Sequence, residues 1–513
     1  MGLLKKFLKD AIVKNNQKVF WIDEISLEEK KYSDLIIDCT KCINQLSSIN
    51  FETIGIRSSN SYEFVVIFLS AIFSGKKIIL LNPNENIAKA KRLLEHFDPS
   101  VCFTENHIEL ICENFKSMQE YKEFQSSNQL SLNQCQAIVY IPTSGTTGDS
   151  KIVPLDESQI MANVKALLIH HNLDTCKTFL TPLPLFHVNA LFFSLLCTIA
   201  SGSKIILMKN FDLRRMFSLI NKFDVEVCSV IPSILNSILR NINNLEVKSL
   251  ESLKYFVSAA APLSVDTVQG IRDQLGKRII QGYGLSEAVN FSCTIPLDIT
   301  DQDYVEIMIN SKFPSIGVSL VCNEIKLFKD GKFIQDEMIE GEVLIKGENV
   351  FSGYLNHYDE NLFVDGFFKT GDLGFFKKIE NRKYFFISGR LKEIAKINGE
   401  AVSLRELDEK LNSLLKLKSD FFYTSFKNEF KDEELALICE VSEDEELILE
   451  KTFEDFFKGN SDVGRPKVIL YFSSERIRTP SGKAKRWSFS ELMKEYYSVR
   501  LGYSILHKRI EIK

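Results

Sequence analysis

Apolar positions along this chain follow two alternating rhythms. Short continuous apolar runs at 77–81, 137–141, 203–208 and 225–231 have strand composition and are bounded by turn residues. Between them, 65–73, 213–223 and 232–242 carry apolar residues at helical spacing and predict helices. Asp156 with Gln159 three positions on is a capping-box pattern, so another helix is expected to open there. Strands alternating with helices imply βαβ units and mainly parallel sheets. After about residue 320 the pattern changes to short strands, 324–329 and 341–346, separated by charged turns. From about residue 391 the chain is more charged and reads as a compact α+β module. The predicted class is therefore α/β, with layered βαβ sheets, a small β-rich subdomain and a terminal α+β module.

At the N-terminus Leu3, Leu4, Phe7, Leu8 and Ile12 fall at helical spacing, with Lys5, Lys6 and Lys9 between them. The lysines break any continuous apolar core, which excludes a signal peptide. A helix docked on its own domain is expected rather than one lying on a membrane surface. Lys6 speaks against N-myristoylation. The apolar stretch 190–200 is too short to cross a bilayer and ends at Gly202, so no membrane span is expected.

Composition narrows the class without changing it. The chain has 513 residues, 45% hydrophobic and 26% charged, enough for a sizeable core; that length suggests about two to four domains. Lys+Arg 63 against Asp+Glu 68 leaves a net charge of −5, which disfavours nucleic acid or an acidic membrane as main partner. The 11 cysteines are read as scattered singly, without a Cys/His cluster of zinc spacing. They suit reduced, mostly buried thiols in a cytoplasmic protein.

The densest chemistry is Thr143-Ser-Gly-Thr-Thr-Gly-Asp-Ser-Lys151. It sits between the run 137–141 and the strand-like 151–155, so it is expected at a hairpin tip. Gly145 and Gly148 allow successive N–H groups to turn toward one anion. Thr143, Ser144, Thr146 and Thr147 add hydroxyls and Lys151 adds charge, a combination suited to nucleotide phosphates. A Walker-type loop needs G-x-x-x-x-G-K-[ST] opening a helix; here Asp149 and Ser150 separate Gly148 from Lys151 and a strand follows.

Later segments pair glycines with useful side chains. In Gln281-Gly-Tyr-Gly-Leu-Ser-Glu-Ala288, Tyr283 lies between two glycines and can offer its ring to a planar base, while Glu287 offers a hard oxygen for Mg²⁺. A tight turn with a packed tyrosine fits equally well. In Lys369-Thr-Gly-Asp-Leu-Gly374, Asp372 can accept from both hydroxyls of a ribose or form an Asx-type turn. The segment 388–411 runs from a turn into a helix, and 478–486 places Lys483 behind Ser481-Gly482 in a basic turn.

Together these segments resemble the adenylate-forming, or AMP-binding, superfamily, in its acyl-CoA synthetase or acid:CoA ligase branch. Five motifs occur in the family's order between Thr143 and Arg486, with family-like text between them, such as SAAAPLS at Ser258 and GEVLIKGENVFSGYLN at Gly341. The resemblance implies a large N-terminal adenylation domain over 1–389 and a small mobile α+β lid domain over 390–513, hinged at Lys392. It implies that Thr143, Ser144, Gly145, Thr146, Thr147, Gly148 and Lys151 hold the β- and γ-phosphates of ATP. Tyr283 would stack on adenine, with Gly282, Ala259 and Ala260 completing the slot. Ser286 would contact the α-phosphate, Glu287 would bind Mg²⁺, and Asp372 and Arg390 would hold the ribose. Lys483 would bridge the carboxylate substrate and the α-phosphate. Lys396, Gly399 and Glu400 would line a thiol tunnel for coenzyme A or phosphopantetheine.

The family's pattern is departed from at Ile152 after the loop lysine, at Phe367 for tryptophan, at Leu404 for proline and at Ala259 for a frequent glycine. No charged catalytic group is lost; the weaker match over 411–450 bears on the coenzyme A contacts. Pro182 to Ser194 resembles the acyl-CoA synthetase version of the pocket segment. His187 stands where amino-acid adenylation domains place an aspartate, which argues against an amino-acid substrate; His187 gates the acyl entrance or packs in its loop. Asn189, Phe192, Val230, Ser233, Ser258 and Ala261 are acyl-pocket candidates, suiting a medium-sized aliphatic or aromatic acid. The expected activity is conversion of that acid to an acyl-adenylate, then a thioester of coenzyme A. The alternatives are a ligase that loads a phosphopantetheine carrier protein and a catalytically silent scaffold.

Overall fold

The computed structural model describes residues 3–48, 52–97, 100–104, 115–117, 135–143, 150–175, 177–242, 250–397, 400–415, 420–427, 433–441, 443–459, 464–472, 477, 484–486, 489 and 506–510. It divides into two compact units, one of Met1–Ile325, Ile345–Lys369 and Ile379–Tyr384, the other of Lys326–Leu344, Thr370–Lys378 and Phe385–Lys513.

The first unit holds two large sheets. The nine-stranded sheet runs, edge to edge, Val318–Ser319, Phe291–Thr294, Arg278–Gly284, Tyr255–Ser258, Val227–Val230, Thr178–Thr181, Lys204–Leu207, Val19–Ile22 and Glu29–Lys31. Its six central strands are parallel and its three outer ones antiparallel. The expected strands at 203–208 and 225–231 are both present and buried, as strands covered by helices on both faces must be. Helices Leu213–Lys222 and Pro232–Asn241 follow them as the periodicity predicts.

The second sheet orders Phe115–Ser117, Ser100–Thr104, Thr53–Arg57, Lys77–Leu80, Ile138–Thr143 and Lys151–Asp156. All its pairings are parallel except the last, an antiparallel hairpin in register from Ile138↔Asp156 to Thr143↔Lys151. The predicted hairpin is therefore present. The helix expected at 65–73 opens earlier, at Tyr62, because the Ser61 side chain accepts from Phe64 N–H. The capping box at Asp156 is complete: its carboxylate accepts from Ser158 and Gln159 N–H, and the Gln159 side chain accepts from Asp156 N–H.

The N-terminal helix Leu3–Lys14 docks on its own unit, burying Leu4, Leu8 and Ile12. Two details depart from the sequence pattern. Leu3 is exposed, and Lys5 is wholly buried, paired with Glu157 at 3.3 Å and donating to the Cys135 carbonyl. The cysteines are not all isolated either. Cys39 and Cys42 stand one turn apart on helix Tyr32–Ser48, a C-x-x-C spacing, and burial pushes the Cys42 thiol up to about 12. None of the described cysteines is in a disulfide. No helix among the described residues is long and apolar enough to cross a membrane; the apolar stretch near 190 forms a widened helical segment, Asn189–Leu196, continued by Cys197–Ser201.

The second unit contains a four-stranded sheet ordered Asp420–Lys427, Glu433–Glu440, Val468–Phe472 and Leu506–Ile510. Both faces are covered. Phe421, Tyr423, Leu437 and Ile469 pack with Leu407, Leu411, Phe453 and Phe457 on one side, and Phe422, Ile438, Leu470 and Phe472 with Ile477 and Phe489 on the other. This explains why 421–423 is continuously apolar rather than alternating.

Candidate functional site

In the first unit the hairpin of Ile138–Thr143 and Lys151–Asp156 is fastened from outside its own strands. Ser144 through Asp149, which include the predicted Ser144, Gly145, Thr146, Thr147 and Gly148, lie outside the described residues. The flanks are described. Thr143 Oγ1 donates to the Lys151 carbonyl at 3.2 Å. The Asn356 side chain accepts from Ile152 N–H and donates to the Ser150 carbonyl, both at 2.9 Å, and Leu355 N–H donates to the Ile152 carbonyl. The Lys151 ammonium lies 4.4 Å from the centre of the Tyr354 ring. The Tyr354 hydroxyl donates to Glu287 Oε1 at 2.8 Å. The structure thus brings together the loop lysine and the predicted metal-binding carboxylate through a tyrosine that the motif reading did not single out.

Glu287 occupies a short turn, Ser286–Ala288, at the end of strand Arg278–Gly284. The turn is held by Phe351 N–H on the Glu287 carbonyl and by the Asn349 amide on the Ala288 carbonyl, both at 2.8 Å. The next residue, Val289, has φ 67 and ψ −60 and closes a γ-turn, with Asn290 N–H donating to the Ala288 carbonyl. A β-branched residue rarely adopts that conformation. Gly284 is required for another reason: an added Cβ would fall 1.7 Å from the Asn290 carbonyl oxygen. A half-buried carboxylate on so constrained a turn, with a hydroxyl on one oxygen, fits Mg²⁺. No group of three or more His, Cys, Asp or Glu suited to a metal occurs among the described residues; magnesium carried with a nucleotide requires only one or two protein carboxylates.

The base and acyl candidates gather at the carboxyl edge of the parallel strands. Val230 pairs with Ser258, and Ser258 with Gln281, so Val230, Ser258–Ala260 and Gln281–Tyr283 leave adjacent strands side by side. Ligands of open α/β sheets bind at this edge. Ala260 has a positive φ of 72, an uncommon conformation for a residue with a side chain. Gly282 is buried and Tyr283 half-buried. Val230 and Ser258 are buried, Ala261 is half-buried and Ser233 is exposed on the following helix. Asn189 is buried and accepts from Ser229 Oγ at 3.3 Å, while Phe192 is wholly enclosed in the core. His187, half-buried, packs at a tilt against Phe186 with ring centres 4.4 Å apart and lies two residues before the widened helix. Such i→i+5 segments are common at functional sites.

The second unit carries the remaining described candidates. Asp372 is buried; its N–H donates to Thr370 Oγ1, and its carboxylate accepts from Arg390 Nε. Thr370 in turn donates to the Val343 carbonyl, and Gly371 N–H to Glu342. Lys392 is exposed on a short turn, Leu391–Glu393. Lys396 and Glu400 belong to the paired strands Ile394–Ile397 and Glu400–Ser403; Gly399 lies outside the described residues. Lys483 also lies outside them. Arg486, three positions further, is anchored: its guanidinium binds Asp408, lies 3.9 Å from Glu393 and 5.3 Å from the Phe422 ring centre, and its carbonyl accepts from Thr424.

A family model described as AMP-binding enzyme matches residues 15–355. A probable CoA ligase (CCL5) of Humulus lupulus is 26% identical over 72% of this chain and 71% of its own length. The 4-coumarate:CoA ligase 1 of Petunia hybrida is 26% identical over 89% of this chain and 87% of its own. The o-succinylbenzoate CoA synthetase of Bacillus subtilis, solved with an acyl-adenylate, superposes with a TM-score of 0.77 at 20% identity, covering 96% of this chain and 99% of that one. ATP-bound MatB from Rhodopseudomonas palustris gives 0.79 at 19% identity, covering 95% and 99%.

Proposed function

The chain belongs to the AMP-binding enzyme family, and from that premise we propose how its own residues carry out the chemistry. It is an ATP-dependent, AMP-forming acid–thiol ligase: a carboxylic acid becomes an acyl-adenylate with release of pyrophosphate, and the acyl group passes to coenzyme A. A carboxylate and a triphosphate repel, so the site must supply positive charge where the two anions meet. Lys151 and the hydroxyls and N–H groups of 143–148 hold the β- and γ-phosphates. Glu287 would hold Mg²⁺, which would supply positive charge against the phosphates. Tyr283, Gly282, Ala259 and Ala260 take the adenine, and Ser286 the α-phosphate. Asp372 accepts from the ribose hydroxyls while Arg390 fixes its rotamer. Lys483 bridges the reacting carboxylate and the α-phosphate.

The observation that carries this reading is the contact of the Lys151 ammonium and the Glu287 carboxylate with opposite ends of Tyr354, a cation site and a metal ligand within one side chain's reach. The acid is a medium-sized aliphatic or aromatic one, received by Val230, Ser233, Ser258, Ala261, Asn189 and Phe192, with His187 at the entrance. Lys392 is the hinge between domains 1–389 and 390–513, and Lys396, Gly399 and Glu400 line the thiol tunnel. We place the enzyme in the cytoplasm, where its thiols stay reduced.

The test is acid-dependent exchange of labelled pyrophosphate into ATP across a panel of carboxylic acids, followed by thioester formation with free coenzyme A. Exchange with an aromatic or medium-length acid and a coenzyme A thioester are expected. Absence of exchange with every acid would favour a silent scaffold, and thioester formation on carrier protein alone would favour a carrier-loading ligase.

A further inference from the structure

The contact between Lys151, Tyr354 and Glu287 has more content than its role in locating the site. Tyr354 lies about two hundred positions from Lys151, yet the chain on either side of it is locked to the phosphate hairpin. Leu355 N–H donates to the Ile152 carbonyl, and the Asn356 amide bridges Ser150 and Ile152. On the other side Phe351 N–H donates to the Glu287 carbonyl, and the Phe351 ring packs edge-on against Tyr354 at 4.9 Å. The segment 349–356 is therefore a strap joining the hairpin to the Glu287 turn, and its Tyr354 side chain touches both functional groups.

The two ends of Tyr354 act differently. The hydroxyl donates to one carboxylate oxygen of Glu287 and so fixes the plane in which the other oxygen is presented. The ring face holds the Lys151 ammonium, restricting a flexible four-carbon stem. We infer that Tyr354 is a positioning residue that sets Glu287 for Mg²⁺ through its hydroxyl and Lys151 for phosphate through its ring. The inference rests on the adenylation reading and adds a division of labour within it. Side chains that hydrogen-bond a metal's ligand typically govern metal affinity by one to two orders of magnitude when altered.

The experiment titrates the full-length chain with ATP by calorimetry at graded MgCl₂, without any acid, and records thermal midpoints in parallel. For Tyr354→Phe, which keeps the ring, the Mg²⁺ concentration needed for half-maximal ATP binding rises roughly tenfold. Its ATP affinity at saturating Mg²⁺ stays within about twofold of wild type, because the ring still holds Lys151. For Tyr354→Leu, ATP affinity at saturating Mg²⁺ also falls, by roughly two- to fivefold, the loss of a cation–π contact. An unchanged Mg²⁺ requirement in Tyr354→Phe, with wild type binding MgATP normally, overturns the inference and leaves the adenylation reading standing. Equal losses of Mg²⁺ and ATP affinity in both variants, tracking a lowered thermal midpoint, mark Tyr354 as merely structural and overturn it too. A wild-type chain that binds no MgATP removes both.

Discussion

His171 is wholly buried, with the Tyr255 hydroxyl and Thr294 Oγ1 each 3.5 Å from a ring nitrogen and the Phe193 ring at 5.0 Å. Burial, and then the neighbouring His170, hold its pKa well below the ordinary value of 6.5. The unfolded chain therefore binds a proton near pH 6.5 that the folded chain refuses. Its contribution to stability is complete above that value and is lost as pH falls below it, by about 1.4 kcal/mol per pH unit until the folded group also titrates. Replacing His171 with Gln should flatten the fall in thermal midpoint between about pH 6.5 and 5; an unaltered slope would show that other groups set it. Gly284 makes a second prediction at this scale. Gly284→Ala drives a methyl into the Asn290 backbone, and the turn carrying Glu287 must shift, at a cost of about 1–3 kcal/mol. Thermal unfolding reads this directly, and a midpoint equal to wild type would contradict the close approach. The sequence singles out Glu287 and Lys151 because each lies in a glycine-rich motif of distinctive chemistry. It does not single out Tyr354, although that residue lies within the quoted stretch GEVLIKGENVFSGYLN, because its partners are 67 and about 200 positions away.

Among elements, the hairpin of Ile138–Thr143 and Lys151–Asp156 shows both what periodicity reveals and what it hides. Its strands and the capping box that starts helix Glu157–His170 follow from local sequence alone. The support at its base does not. Lys5, on the N-terminal helix, pairs with Glu157 and donates to the Cys135 carbonyl, while Glu157 accepts from Ala137 N–H at 2.8 Å. One buried pair thus clasps the chain entering the first strand and the helix leaving the second. Helical spacing assigns Lys5 to the polar side, because a pattern argument treats lysine as solvated and carries no knowledge of a carboxylate 152 positions away. Removing one partner leaves the other charge buried alone, so Lys5→Met should destabilise the first unit by about 3–5 kcal/mol. A Lys5→Met, Glu157→Leu double variant should recover much of that loss, since a buried pair replaced by apolar groups is often neutral. Additive losses measured by chemical unfolding would show that the two side chains do not interact. The widened helix Asn189–Leu196 was likewise invisible, because a continuously apolar segment has no stripe from which its helical period can be read.

At the scale of the whole molecule, the residues proposed for the reaction are divided between the compact units: Lys151, Tyr283 and Glu287 belong to one, Asp372 and Arg390 to the other. The lysine assigned to the reacting carboxylate lies three positions before Arg486, whose guanidinium is tied to Asp408 and whose carbonyl accepts from Thr424. Both partners belong to the second unit. A charge needed only while two anions are joined is dispensable once the mixed anhydride exists, because the remaining step bonds the acyl carbon to a thiol, which loses its proton, while AMP leaves with the electron pair of the cleaved C–O bond. Lys483→Ala should therefore abolish acid-dependent pyrophosphate exchange, while thioester formation from supplied acyl-adenylate stays within about threefold of wild type; loss of one charge-stabilising group from phosphoryl chemistry costs roughly 10²–10³ in rate. The substitution leaves the Arg486 ties in place, so a parallel Arg486→Ala variant separates charge from anchorage. It retains the lysine and the carbonyl contact with Thr424 but removes the guanidinium ties to Asp408 and Glu393, and should lower exchange only partially. Equal failure of both half-reactions in Lys483→Ala would remove that lysine from its assigned step, and the charge that joins acid to nucleotide would have to come from elsewhere in the chain.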